Sequence, residues 1–206
     1  MLDHFVYGAS DLDEAVALLA DLVGVFPSGG GRHDGLGTHN ALLGLGSNKY
    51  LEIIAPDPSQ SNIVSSRPLG LSDLTNPKLI AWAATASDLE GRISEGRKAG
   101  FDAGVVTNMT RIKPNGDVLE WELTHRSQGP GEDGVVPFLI DWGESEHPSK
   151  SCAVGCTLNQ WYVEHPDPPK IRRFFASLGV QSDVKLAEIP ALVAIIDTPN
   201  GIVELR

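Results

Sequence analysis

One pattern recurs three times along this chain, and it limits the possible folds more than any other feature. Leu2 to Ser10 (LDHFVYGAS) is an apolar run rich in aromatic and β-branched residues, followed by Asp11 and the helical spacing Leu12, Ala15, Val16, Leu19, Leu22. Ile80 to Ser87 (IAWAATAS) repeats the design, with Asp88 ahead of Leu89 and Ile93 and with Gly100 as a helix stop. Thr157 to Glu164 (TLNQWYVE) repeats it again, and Asp167-Pro168-Pro169 leads into Ile171, Phe174, Phe175, Leu178 and Gly179. Each opening predicts a strand and then a capped helix. Recurrence at this scale means that each copy is one supersecondary unit whose apolar face must be buried on a neighbour.

The closings correspond as well. Ala41 to Leu45 and Tyr50 to Ile54 flank Ser47-Asn48, and Ala194 to Ile196 and Ile202 to Leu205 flank Pro199-Asn200-Gly201. In the middle copy Val105 to Ile112 turns at Pro114-Asn115-Gly116 and returns as Val118 to Leu123. Asn or Gly between apolar strands is a strong hairpin signal. The expectation is an α+β chain of three βαβββ units, 1–57, 79–142 and 152–206, packed as one compact domain of cupped, mostly antiparallel half-barrels. Residues 26–38 are glycine-rich enough for a mobile loop to replace part of a strand. Val135 to Trp142 is an extra strand without a counterpart in the other units, and residues 56–78 are a polar connector.

With 206 residues, 41% of them hydrophobic, the chain can bury a sizeable core, and its apolar runs are too short to span a bilayer. A soluble, cytoplasmic protein without a cleaved signal is expected. The formal charge of −11 argues against a nucleic-acid partner, whose affinity comes from clustered Lys and Arg. Cys152 and Cys156, four apart in what reads as a strand, are roughly 13 Å from one another and read as reduced, buried thiols. Gly29-Gly30-Gly31 follows a helix and opens none, so neither a dinucleotide nor a P-loop fingerprint is present, and there is no GxSxG elbow.

A tandem βαβββ repeat with an inward His on a first strand and a Glu on a last strand resembles the vicinal-oxygen-chelate superfamily of glyoxalases, bleomycin-resistance proteins and extradiol dioxygenases. Within it the chain is most similar to the glyoxalase-like domain group. The resemblance is carried by Leu2-Asp3-His4-Phe5-Val6, Gly37 to Leu42, Tyr50 to Ile54, and Pro137 to Trp142 with His147-Pro148. It implies cups that close in pairs around a divalent ion (Zn, Ni, Fe, Mn or Mg) and lyase, isomerase or dioxygenase-like chemistry on a small oxygen-chelating substrate. Counting back seven from Asp11, Asp88 and Asp167 gives His4, Ala81 and Gln160 as equivalent first-strand positions. Counting on four from Asn48, Asn115 and Asn200 gives Glu52, Leu119 and Glu204. The implied metal ligands are therefore His4, Glu52, Gln160 and Glu204, with Glu52 and Glu204 also as catalytic carboxylates. Because these lie in the first and third units, pairing across a homodimer is one way to close the site.

His4 reads either as a ligand or as a hydrogen-bonded barrel histidine. Glu52, between Leu51 and Ile53, must be paired, metal-bound or facing a wet cavity, since an unpaired buried carboxylate is costly. His33, His39, Asn40, Trp161 and Arg126 are candidate substrate contacts, each with a bland alternative: a surface histidine, a turn residue, core packing or a solvated strand end. A metal-dependent enzyme, a metal-free ligand-sequestering protein and an inert core all remain open on these residues.

Overall fold

A computed structural model describes residues 1–60, 68–112, 116–127 and 129–206 of the chain. The first half-barrel is β1 (Leu2–Gly8), α1 (Leu12–Val23), β2 (Ser28–His33), β3 (Thr38–Gly44) and β4 (Tyr50–Pro56). The second is β5 (Lys78–Thr85), α2 (Leu89–Lys98), β6 (Val105–Ile112), β7 (Val118–His125) and β8 (Phe138–Asp141). Together they close an eight-stranded barrel in the order β1-β4-β3-β2-β6-β7-β8-β5. The rest of the chain, β9 (Thr157–His165), α3 (Pro168–Leu178), β10 (Val184–Leu186), β11 (Ala191–Thr198) and β12 (Gly201–Leu205), forms a separate four-stranded sheet in the order β10-β9-β11-β12. The fold is α+β with a cupped, mostly antiparallel barrel, as the sequence predicts. Among the described residues no helix is long and apolar enough to cross a membrane.

The local signals act as chemistry requires. Asp11, Asp88 and Asp167 each accept a hydrogen bond from the backbone N–H three residues on, at 2.9, 3.0 and 3.0 Å, satisfying a donor that the first helical turn leaves free. Ser47 and Asn48 both adopt left-handed backbone (φ 43° and 56°), the geometry of a tight hairpin that asparagine tolerates. Pro114 and Asn115 of the middle turn, and residues 61–67 of the polar connector, lie outside the described residues.

Strand alternation sorts each side chain to one face of the barrel. Phe5, Leu51, Ile53, Trp82 and Ala84 point outward into the main core, which they share with Val16 and Leu19 of α1, with Val163, Leu192, Ala194 and Ile196 of the second sheet and with Phe174 and Phe175 of α3. His4, Val6, Tyr50, Glu52, Ile54 and Ala81 line the interior instead. Trp161 stacks edge-on against Phe5 and Trp82 at 5.6 and 4.7 Å, so it belongs to the seam between barrel and sheet.

Several expectations are corrected. Val135 to Trp142 is not an extra strand: it contains β8, which pairs in parallel with β5 as β4 pairs with β1. The hairpin of β6 and β7 therefore corresponds to β2 and β3, and a long insertion before β8 hides the match. The glycine-rich stretch does form β2. Its glycines are needed because a Cβ on Gly30 would collide with the Asn40 carbonyl oxygen, and one on Gly31 would sit 2.5 Å from the Ile112 carbonyl where β2 meets β6. The third unit is not a half-barrel, because β9 lies between β10 and β11 and the last strand pairs with β11 alone. The barrel closes within the chain, so closure gives no reason for a homodimer. Cys152 and Cys156 are free and buried as expected, but they precede β9 and are not in a strand.

Candidate functional site

The barrel encloses a cavity of about 890 Å³, within the range of small-molecule sites. Its polar groups form two connected networks, one built on β1 and one on β3, and each takes partners from the second half of the chain.

The first centres on Asp3, only 1% exposed. Its Oδ1 accepts from His4 Nδ1 at 2.8 Å, and its Oδ2 accepts from Thr85 Oγ1, Trp142 Nε1 and His147 Nε2 at 2.9, 3.0 and 3.2 Å. Burial by itself raises the pKa of this carboxyl. The hydrogen bonds from His147 and His4 outweigh that effect and hold it well below the usual carboxylate range. An ionised Asp3 places the His4 proton on Nδ1 and turns Nε2 toward the cavity, where it stands 3.7 Å from Glu52 Oε2. The imidazole is stacked on Tyr50 with 4.6 Å between centroids, which fixes the plane of the ring. Burial, reinforced by the Glu52 charge, raises the Tyr50 phenol well above its ordinary pKa and keeps it neutral.

The second network runs through Asn40. Its Oδ1 accepts from the Gly31 N–H at 2.9 Å and from Arg111 Nη1 at 3.2 Å. That assigns Nδ2 as the donor, to Glu52 Oε1 at 2.5 Å and to His33 Nε2 at 3.3 Å. His33 then carries its proton on Nδ1 and donates to Thr38 Oγ1 at 2.9 Å. Burial holds the His33 imidazole below the ordinary histidine pKa, against the opposing pull of the Glu52 carboxylate.

A histidine kept neutral by folding gives a stability that is complete above the ordinary histidine pKa of about 6.5 and falls at lower pH, where the unfolded chain takes up the proton first. Urea melts between pH 7.5 and 5 should therefore show stability falling with pH, by at most about 1.4 kcal/mol per unit for this proton. The slope should be shallower in His33→Gln; an unchanged slope would mean that folding leaves the proton affinity of His33 unaltered.

Of the residues that sequence singled out, His4, Glu52, His33, Asn40 and Arg126 all line the cavity. The others do not. His39 follows Thr38 and precedes Asn40, both of which line the cavity, so alternation turns it to the outer face of β3. Trp161 is core. Gln160 and Glu204 are both exposed, and both sit opposite Ile195 on the outward face of the second sheet, while Glu204 is paired with Arg206 at 3.0 Å. The four-residue set His4, Glu52, Gln160, Glu204 therefore does not converge. Within the barrel, Ala81 is the counterpart of His4. Since Glu52 pairs with the residue two beyond His4 and Phe138 with the residue two beyond Ala81, Phe138 is the counterpart of Glu52. The second half-barrel thus offers no donor at either position. Among the described residues no three His, Cys, Asp or Glu side chains are placed to hold a metal ion.

Sequence reasoning missed Asp3, Arg111 and His147. Thr107, Met109 and Arg111 alternate on β6 into the cavity, so a period-two reading of that strand would have found the arginine once its inner face was known. The cysteines supply no nucleophile: burial pushes the Cys152 thiol up to about 12 and raises Cys156 as well.

Comparison with known proteins bears on the fold and the family. A crystal structure of a hypothetical protein from Staphylococcus aureus superimposes with a TM-score of 0.66 at 12% identity, covering 100% of this chain and 98% of that one, which is a likeness of fold. Methylmalonyl-CoA epimerase from Mycobacterium tuberculosis aligns less closely, with a TM-score of 0.43 at 23% identity over 69% of this chain and 87% of that one. A Streptomyces coelicolor methylmalonyl-CoA epimerase in complex with 2-nitronate-propionyl-CoA gives 0.42 at 17%, over 71% and 96%. No curated protein matches the chain. A family model described as a glyoxalase-like domain matches residues 2–179, which takes in both half-barrels and α3, and the chain belongs to that family.

Proposed function

We propose that the barrel cavity is the active site of an enzyme that moves a proton on a small oxygen-bearing molecule, with His4 and Glu52 as its acid–base pair. The observation that carries this reading is the Asp3–His4–Glu52 arrangement. Asp3 orients His4 and fixes its tautomer, and His4 Nε2 and Glu52 Oε2 face each other across 3.7 Å. That gap is too wide for a direct hydrogen bond and leaves both atoms available to a reacting group. Proton removal beside a carbonyl, and its return at another position, is the lyase or isomerase chemistry such a pair supports.

The divalent ion implied by the family resemblance does not fit these side chains. Asp3 is consumed by its four donors, Glu52 has only His4 and His33 as nearby ion-pair partners among the described residues and its Oε1 is already held by Asn40, and Ala81 and Phe138 stand where a symmetric site needs donors. No step is assigned to a metal. A second reading, a protein that sequesters an apolar ligand, is favoured by the walls of Met109, Trp121, Leu123, Phe138 and Trp142.

Both readings are tested together by following hydrogen–deuterium exchange in 2-oxo and 1,2-dicarbonyl compounds by NMR, with protein dialysed against chelator. Exchange above the buffer rate is expected, with well under one ion per chain by elemental analysis. Ligand-dependent stabilisation without exchange would favour sequestration. One tightly held ion per chain, with activity lost to chelator, would restore the metal-dependent enzyme.

A further inference from the structure

Arg111 is a buried cation without an anion. It is 4% exposed and lines the cavity, and Nη1 is satisfied only by the neutral Asn40 Oδ1 at 3.2 Å. Its Nε has no hydrogen-bond partner, and no described carboxylate forms an ion pair with it. This is costly: a guanidinium removed from water needs a counter-charge or a full set of acceptors. Carboxylates are not scarce in a chain with 27 acidic and 16 basic residues, yet none is placed here. Glu52, which shares the cavity, is bonded by Asn40, so the amide stands between the two charges. The arginine is also deliberately accommodated. Its stem passes Gly31, where a Cβ would lie 3.2 Å from Arg111 Cγ. The other cation on the cavity wall, Arg126, is only half-buried at the rim and lies over the Phe101 ring at 5.0 Å.

We infer that Arg111 is the anchor for the acidic group of the cavity's ligand, and that the ligand is a carboxylic acid with an apolar, aromatic or branched body. The planar donor set of a guanidinium on the cavity wall matches the two oxygens of a carboxylate. The apolar body lies against Met109, Trp121, Leu123 and Phe138 of the same cavity wall, surface that an uncharged polar molecule would not favour. The inference rests on the cavity being a ligand site, but not on proton transfer within it.

Three acids, 1-naphthylacetate, 3-phenylpropionate and decanoate, each beside its primary amide, provide the test in thermal-shift and calorimetric titrations of the full chain. At least one acid is expected to bind roughly tenfold to a hundredfold more tightly than its amide, with the preference weakened by salt. The preference should vanish in Arg111→Gln and shrink in Arg111→Lys, which keeps the charge but loses the planar fork. Acid and amide binding equally to the unaltered protein, or no acid binding at millimolar concentration, would overturn the inference without need of a variant. Acid binding without hydrogen exchange would leave Arg111 as the anchor and refute the proton-transfer reading. Exchange that is equally fast with charged and uncharged carbonyls would do the reverse.

Discussion

Asp3→Ala is expected to lower folding stability by about 3 kcal/mol or more, the largest effect of any single substitution in the site. Four side chains, His4, Thr85, Trp142 and His147, converge on this one carboxylate. Alanine would orphan all of them at once, and each buried donor left unpaired costs about 1–3 kcal/mol before any relaxation. His4 and His147 can move their proton to the other ring nitrogen, which softens the loss, whereas the Trp142 indole N–H and the Thr85 hydroxyl have no such escape. Asp3→Asn should be milder in stability, because its amide keeps one acceptor. Chemical denaturation of the three proteins side by side measures this directly. A loss below about 1 kcal/mol in Asp3→Ala would show that the four donors find other partners, and that Asp3 does not organise the barrel end.

His4→Ala and Glu52→Gln should each reduce the exchange rate by about 10²–10⁴-fold, the usual contribution of a positioned acid or base. Asp3→Asn should approach the same loss while the chain remains folded, since an amide cannot hold His4 in the tautomer that an ionised Asp3 imposes. Glu204→Gln and Gln160→Ala, exposed on the other sheet, should leave the rate within about twofold, a surface-change expectation. A rate that falls in Glu204→Gln but not in Glu52→Gln would move the chemistry out of the barrel altogether.

Much of this architecture is legible in the sequence because it is written locally. The aspartate caps, the Ser47-Asn48 turn and the alternation of β1 and β4 each depend on a few neighbouring residues, and they were sufficient to bring His4 and Glu52 together. What escaped depends on distance along the chain. Strand order is a property of the folded molecule, so the third unit, with the same string of elements as the first, could not be seen to place its opening strand in mid-sheet. The insertion before β8 displaced the middle copy by one strand, which aligned Glu52 with Leu119 when the true counterpart is Phe138. His39 and His33 look alike in sequence, and only the pleat separates an outward ring from an inward one. Asp3 looked like a mere neighbour of His4 because two of its partners, Trp142 and His147, lie 139 and 144 residues away.

The two halves of the barrel began as the same pattern and have parted in chemistry. His4, His33, Asn40 and Glu52 occupy one wall, while Ala81, Phe138, Ile140 and Trp121 occupy the other. A twofold-symmetric cup would offer equivalent donors to both faces of a flat molecule lying across its axis. Here His4 and Glu52 stand in the first half only, where the second half has Ala81 and Phe138, so a proton delivered by that pair would arrive from one side, and the difference between the halves would itself be the source of stereochemical control.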